Sequence, residues 1–166
     1  MQLRIETISQ KKIVGKRIRT TLSKNENFKL WQSFMPHRKE IKNCVGADLL
    51  SIETYDLDLD FATFNPNTEF EKWAAVEVSD FDNIPEGLES FTIPGGQYAV
   101  FLYIGNPNAA ASTFQYIFGT WLPASEYVLD QRPHFEIMGA KYKNNDDKSE
   151  EEFWVPIRNK EFSLQP

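Results

Sequence analysis

The chain has 166 residues and carries 18 Lys plus Arg against 24 Asp plus Glu, a net charge of −6. At roughly 150 residues per domain, that length holds one domain or two small half-domains sharing a core, and 41% apolar with 14% aromatic content excludes disordered and fibrous classes. The acidic balance argues against nucleic acid as the main partner, because phosphate neutralisation needs net Lys and Arg on the binding face. No stretch approaches the ~18 uncharged apolar residues of a membrane span, and the start, MQLRIETISQ, has no apolar core of a secretory signal. A single cysteine, Cys44, forms neither an internal disulfide nor a cysteine-based zinc cluster. These features point to the cytoplasm.

The first strand is expected where Leu3, Ile5 and Thr7 alternate with Arg4 and Glu6, and a second from about Lys12 to Leu22, rich in β-branched residues. Ser23 and Asn25 offer N-caps to an amphipathic helix whose apolar residues, Phe28, Leu30, Trp31, Phe34 and Ile41, recur at three- and four-residue spacings; Pro36 breaks or kinks it. Asp48 to Tyr55 and Phe70 to Val78 read as strands around the turn Asn65-Pro66-Asn67. The acidic stretch Asp80 to Gly87 is the candidate linker. Ser90 to Ile104 reads as strand, interrupted at Pro94-Gly95-Gly96. A helix fills Ala109 to Leu122 and stops at Pro123. His134 to Ala140 is a strand, Lys143 to Glu151 a solvated hairpin loop, and Phe153 to Ile157 the last strand.

The order strand, helix, strand, strand therefore occurs twice, split near residue 85. The residues support a duplication. Glu71-Lys72-Trp73-Ala74-Ala75-Val76 lines up with Glu152-Phe153-Trp154-Val155-Pro156-Ile157 when the tryptophans are shifted by one. Glu53 in Ile52-Glu53-Thr54-Tyr55 corresponds to Glu136 in Phe135-Glu136-Ile137-Met138, and Gly15 and Gly96 each precede the first strand proper of their half. The expectation is an α+β fold: one domain over residues 1–166, with halves at about 1–80 and 88–160. It has one antiparallel sheet with helices on one face and a central ligand cleft where the halves meet.

Strand parity sorts the side chains. Phe153, Val155 and Ile157 look like core beneath a helix, as do Phe135 and Ile137; Trp154 and Glu152 point the other way, and His134, Glu136 and Met138 are assigned with them. The inferred cleft face thus gathers Trp73, Trp154, Glu136 and Tyr55. Aromatic walls with a carboxylate suit a flat or hydrophobic cation. Met138, Phe101 and Tyr103 are further candidates, although parity cannot choose between the two faces of the strand that holds Phe101 and Tyr103. Trp121 is either a wall or a core anchor.

The ordered set Phe70-Glu71-Lys72-Trp73-Ala74-Ala75-Val76-Glu77-Val78, Ile93-Pro94-Gly95-Gly96-Gln97-Tyr98-Ala99-Val100-Phe101, Thr120-Trp121-Leu122-Pro123, Arg132-Pro133-His134-Phe135-Glu136-Ile137 and Trp154-Val155-Pro156-Ile157 resembles the GyrI-like, or bacterial transcription-activator effector-binding, domains. The resemblance implies a central pocket for drug-like, often cationic and aromatic molecules, with a carboxylate at Glu136 and aromatic lining. It also implies two alternatives. One is hydrolysis of reactive cyclopropane-bearing, DNA-alkylating compounds, with Glu136 as the catalytic group. The other is a protein-interaction role such as gyrase modulation. The length leaves no room for a helix-turn-helix domain, so the expectation is a stand-alone module that contacts no DNA or membrane directly. It would work alone, as a homodimer or with a separate regulator protein, and without a cofactor.

Other charged groups read blandly. Asp56, Asp58 and Asp60 lack the Gly and Glu of a calcium loop, His37 and His134 lack metal-site spacing, and Lys11, Lys12, Lys16, Arg17 and Arg19 form a solvated strand face.

Overall fold

The computed structural model describes residues 2–160, so residue 1 and residues 161–166 of the expected domain lie outside it. Nine strands form the sheet system: β1 (Gln2–Ile8), β2 (Lys11–Thr20), β3 (Leu49–Thr54), β4 (Phe70–Val78), β5 (Glu89–Ile93), β6 (Gly96–Ile104), β7 (Tyr127–Leu129), β8 (His134–Met138) and β9 (Glu150–Asn159). Two helices interrupt them. The first, α1 (Asn27–Phe34), tightens into a 3₁₀ turn over Met35–Glu40, with Pro36 in the first turn of that segment, where its missing N–H costs nothing. The second, α2 (Ala111–Tyr116), continues through a π turn, Ile117–Trp121, into the short helical segment Leu122–Ala124.

The strand order is β1-β6-β9-β8-β3-β4-β2-β5, with β7 paired to the end of β9. The first half, β2-α1-β3-β4, and the second, β6-α2-β8-β9, meet at the central β3–β8 pair. The outer strands are exchanged: β1 pairs with β6 and β5 with β2, which ties each half to the other. This is the duplicated α+β arrangement expected from the repeat.

Both faces of the sheet are covered. On one, α1 packs Leu30 and Phe34 on Val14, Ala74, Val76 and Val78, and the α2 segment packs Ala110 and Ile117 on Ala99, Phe101, Phe153, Val155 and Ile157. On the other, Ile13, Leu50, Ile52, Trp73, Ile93, Tyr98, Val100, Phe135 and Trp154 form one apolar cluster. Burial on two faces explains why β6 reads as an unbroken apolar run, Tyr98 to Ile104.

Three expectations change. Gly15 lies inside β2 rather than before it: a Cβ there would sit 2.1 Å from the Ala74 carbonyl oxygen, so the close approach of β2 and β4 demands glycine. Pro123 does not stop the second helix at its own position; it sits in the first turn of Leu122–Ala124. The segment before the last strand is not wholly solvated, since β9 begins at Glu150 and both Ser149 and Glu151 are buried. The surface charges are largely paired: Arg17 bridges Glu71 and Glu89, and Arg19 bridges Asp56 and Glu69.

Candidate functional site

Directly opposed residues on neighbouring antiparallel strands share a face. One row across the sheet centre runs Trp73, Ile52, Phe135, Trp154; the rows on either side of it run Ala74, Ser51, Glu136, Phe153 and Lys72, Glu53, His134. Adjacent rows alternate in face, so Glu136, Glu53, Lys72 and His134 point to the helix-bearing side. The helices pack over β2 and β4 on one flank and β6 and β9 on the other, which leaves the central β3 and β8 as the floor between them.

The expected grouping of Trp73, Trp154 and Glu136 on one face does not form. Trp73 and Trp154 lie on the opposite side with Phe135, and both are almost fully buried. Trp73 stacks on Phe91 at 5.6 Å and Trp154 on Phe135 at 5.1 Å. The misassignment came from reading Phe135 and Ile137 as helix-side core. They are core, but of the other face, and apolarity cannot tell two equally apolar faces apart. Phe101 and Tyr103 are buried beneath the α2 segment, and Trp121 packs edge-on against Phe101 at 5.0 Å. Tyr55 and Met138 remain on the side of Glu136, Met138 by strand alternation and Tyr55 by its ring contact with His134.

The pseudo-symmetry gives the site its chemistry. Ile52 pairs with Phe135 across the central pair, so the twofold relation carries Glu53 onto Glu136 and brings both carboxyls to the junction. Their neighbours differ. In the first half Glu53 faces Lys72, whose Nζ lies 3.3 Å from the Glu53 carboxylate. In the second half Glu136 faces Phe153. No donor among the described residues reaches Glu136 Oε2, which is sealed from solvent. Burial therefore pushes the Glu136 carboxyl well above the usual range; Glu53 adds to this through its charge and through a hydrogen bond that needs the proton, while Lys72 opposes it. Glu151 is 8% exposed and is raised to about 7, chiefly by burial and then by Glu53. Lys72 loses ground to burial but the surrounding carboxylates more than offset it, so its ammonium is held above the ordinary lysine value.

An aromatic group borders the carboxyls. Tyr55 packs on His134 at 5.1 Å, on Phe61 at 5.1 Å and on Phe70 at 5.6 Å; Phe61 and Phe118 lie 6.2 and 5.9 Å from His134. Phe61 and Phe118 are partly exposed and come from opposite sides, the β3–β4 connection and the π turn. Burial, with Arg132 nearby, lowers His134 to about 3, so its ring is neutral and acts as an aromatic surface. Its place is fixed from outside: the Tyr98 hydroxyl donates to the Pro133 carbonyl at 2.9 Å, and Arg132 Nη2 donates to the Gln97 and Ile157 carbonyls. A cavity of about 140 Å³ opens on this wall, lined by residues that include Tyr55, Leu57, Phe61, Arg132 and His134. A larger one, about 320 Å³, lies at the β1–β6 edge, and neither cavity is lined by Glu53, Glu136 or Glu151. Lys72, Glu53, Glu151, His134, Phe61 and Phe118 were not among the expected site residues. The repeat had already flagged Glu53 as the mate of Glu136, and strand register would have found Lys72.

Residues 4–157 match the sequence model of the Cass2 family, described as integron-associated effector binding proteins. The chain belongs to this family. The match agrees with the effector-binding resemblance carried by the sequence motifs. The transcriptional regulator BrlR of Pseudomonas aeruginosa is 27% identical over 129 residues, spanning 77% of this chain and 45% of BrlR, so the match covers under half the length of that relative. Among solved structures, SAV2435 bound to tetraphenylphosphonium superposes with a TM-score of 0.73 at 16% identity, covering 99% of this chain and 98% of that one. EcmrR in its DNA complex superposes with a TM-score of 0.71 at 14% identity, covering 95% of this chain and 57% of that one. These structural likenesses show a shared fold. Among the described residues no helix is long and apolar enough to cross a membrane, and no three His, Cys, Asp or Glu side chains are placed to hold a metal ion.

Proposed function

We propose that this effector-binding domain takes up lipophilic aromatic cations between its two helices, with the Glu136 carboxylate as the charge anchor and Tyr55, His134, Phe61 and Phe118 as the aromatic lining, and that it serves transcription regulation as a ligand-sensing module. The observation that carries this is the asymmetry of the two symmetry-related carboxyls. Glu53 has its own cation in Lys72; Glu136 has none, and its Oε2 is buried without a donor. A buried carboxyl in that condition costs free energy in either protonation state, and a cation entering the cleft removes the cost. The aromatic rings add cation–π attraction and apolar contact. The tetraphenylphosphonium bound by SAV2435 and the regulator role of BrlR support the reading.

The test compares a cation with a neutral molecule of similar shape. In calorimetric titrations at pH 8, tetraphenylphosphonium is expected to bind at least about tenfold more tightly than triphenylphosphine oxide, a difference of about 1.4 kcal/mol. Equal affinities, or binding of neither, would overturn the proposal.

A further inference from the structure

We infer that the cleft is built for ligands with two positive centres rather than one, Glu136 receiving the first and Glu151 the second; this rests on the cation-binding reading above. Two features beyond Glu136 lead there. Glu151 is 8% exposed, and among the described residues its side chain has no hydrogen bond or ion pair. It lies two residues before Phe153, which opposes Glu136, so strand alternation places it on the same face. Its charge is felt by Lys72, Glu136 and Tyr142, which puts it over the same floor.

The charge count sets the ligand class. Glu53, Glu136 and Glu151 surround one cation, Lys72, and Lys72 is committed to Glu53. Two carboxyls have no ion-pair partner among the described residues and feel Lys72 only at longer range. One monovalent cation neutralises one of them; a dication neutralises both. The sheet sets the scale of the spacing: Glu151 is the diagonal neighbour of Glu136 across β8 and β9, and such neighbours have backbones about 7–8 Å apart. Tyr55 and His134 supply aromatic surface on the Glu136 side, and the Tyr142 hydroxyl lies within electrostatic reach of both Glu151 and Glu136. The matching ligand is an elongated aromatic dication with its charges about 7 Å apart.

The probe pair is N,N′-dibenzyl-4,4′-bipyridinium, a rigid dication of about that spacing, and 1-benzyl-4-phenylpyridinium, its singly charged analogue. Calorimetric affinities are compared at pH 8 and low salt, with tetraphenylphosphonium as reference. The wild-type protein is expected to prefer the dication by about tenfold or more. Glu151→Gln is expected to shrink that preference below about threefold, whereas Glu136→Gln weakens both pyridinium probes. If tetraphenylphosphonium and the monocation bind but the dication is not preferred, or if Glu151→Gln keeps the preference, the two-station inference falls while the cation-binding reading stands. If no cation binds, both fall. Should Glu151→Gln fail to fold, the wild-type ratio alone decides.

Discussion

Lys72→Met lowers folding stability by about 3 kcal/mol at pH 8 and by much less at pH 5. Lys72 is the one ammonium whose charge acts on Glu53, Glu136 and Glu151 together, and it sits 3.3 Å from Glu53 on a floor where both side chains are mostly buried. Methionine keeps the length and the apolar stem, so packing changes little and the lost charge dominates. Removing one partner of a buried pair leaves the other charge uncompensated, at a cost of about 3–5 kcal/mol; residual exposure puts this site at the lower end. The pH dependence follows from the raised carboxyls. Near pH 5 Glu151, which titrates near 7, and Glu136, raised well above the ordinary range, already hold protons, so less repulsion is released. Urea melts of both proteins at the two pH values measure this. A loss that is equal at pH 5 and 8 would show that Lys72 contributes through packing and not through the carboxyls.

Glu136→Gln separates binding from stability. Glutamine has the same shape but no charge, so the cation loses its anchor, and affinity for tetraphenylphosphonium is expected to fall by about thirtyfold or more, since breaking a buried charge pair costs about 2 kcal/mol or more. The ligand-free protein moves the other way. A carboxyl raised above its unfolded value binds protons more tightly in the folded state, so its contribution is full below the unfolded pKa and is lost as pH rises through the folded one. Glu151 shows the same sign, with a window from about 4.5 to about 7, and Glu136 is raised in the same direction. Above the unfolded value the folded wild type either holds a proton on Glu136 that the unfolded chain has released or carries an extra buried charge, a cost that Glu136→Gln does not bear. The variant is therefore expected to melt higher than wild type at pH 8 and to lose the advantage at pH 5. Weaker binding with greater stability marks a residue held for function at a structural cost. A variant that loses both would instead place Glu136 in the packing of the floor.

The fold was largely legible because its signals are local and repeated. Three- and four-residue apolar spacing set α1, and the two Glu–Trp segments exposed the duplication. Short elements were less visible: β7 has three residues, and the π turn over Ile117–Trp121 has no distinct apolar period. The exchange of β1 and β5 between halves left no mark either, because pairing partners distant in sequence carry no periodicity. For the site, the repeat matched Glu53 to Glu136 and parity grouped Glu136 with His134 and Met138. What parity could not supply was which face the helices cover. Trp73 and Trp154 belong to a face as apolar as the helix side, so hydrophobicity gave no direction. Lys72 shares its strand face with the buried Phe70 and Ala74, so alternation alone gives it no role; its pairing opposite Glu53 reveals one. For His134 the sequence showed only its strand face and a lack of metal-site spacing, whereas its neutrality comes from burial that depends on Tyr55 and Phe61 from the β3–β4 connection and Phe118 from the π turn.

The central claim is a location, and an anomalous scatterer reads it directly. Tetraphenylarsonium, with arsenic in place of phosphorus, should be bound in crystals and its anomalous peak placed. The peak is expected on the helix-bearing side between α1 and α2, within about 6 Å of the Tyr55 or Phe61 ring and beside the Glu136 carboxylate. A peak on the opposite face, over Trp73 and Trp154, would contradict it.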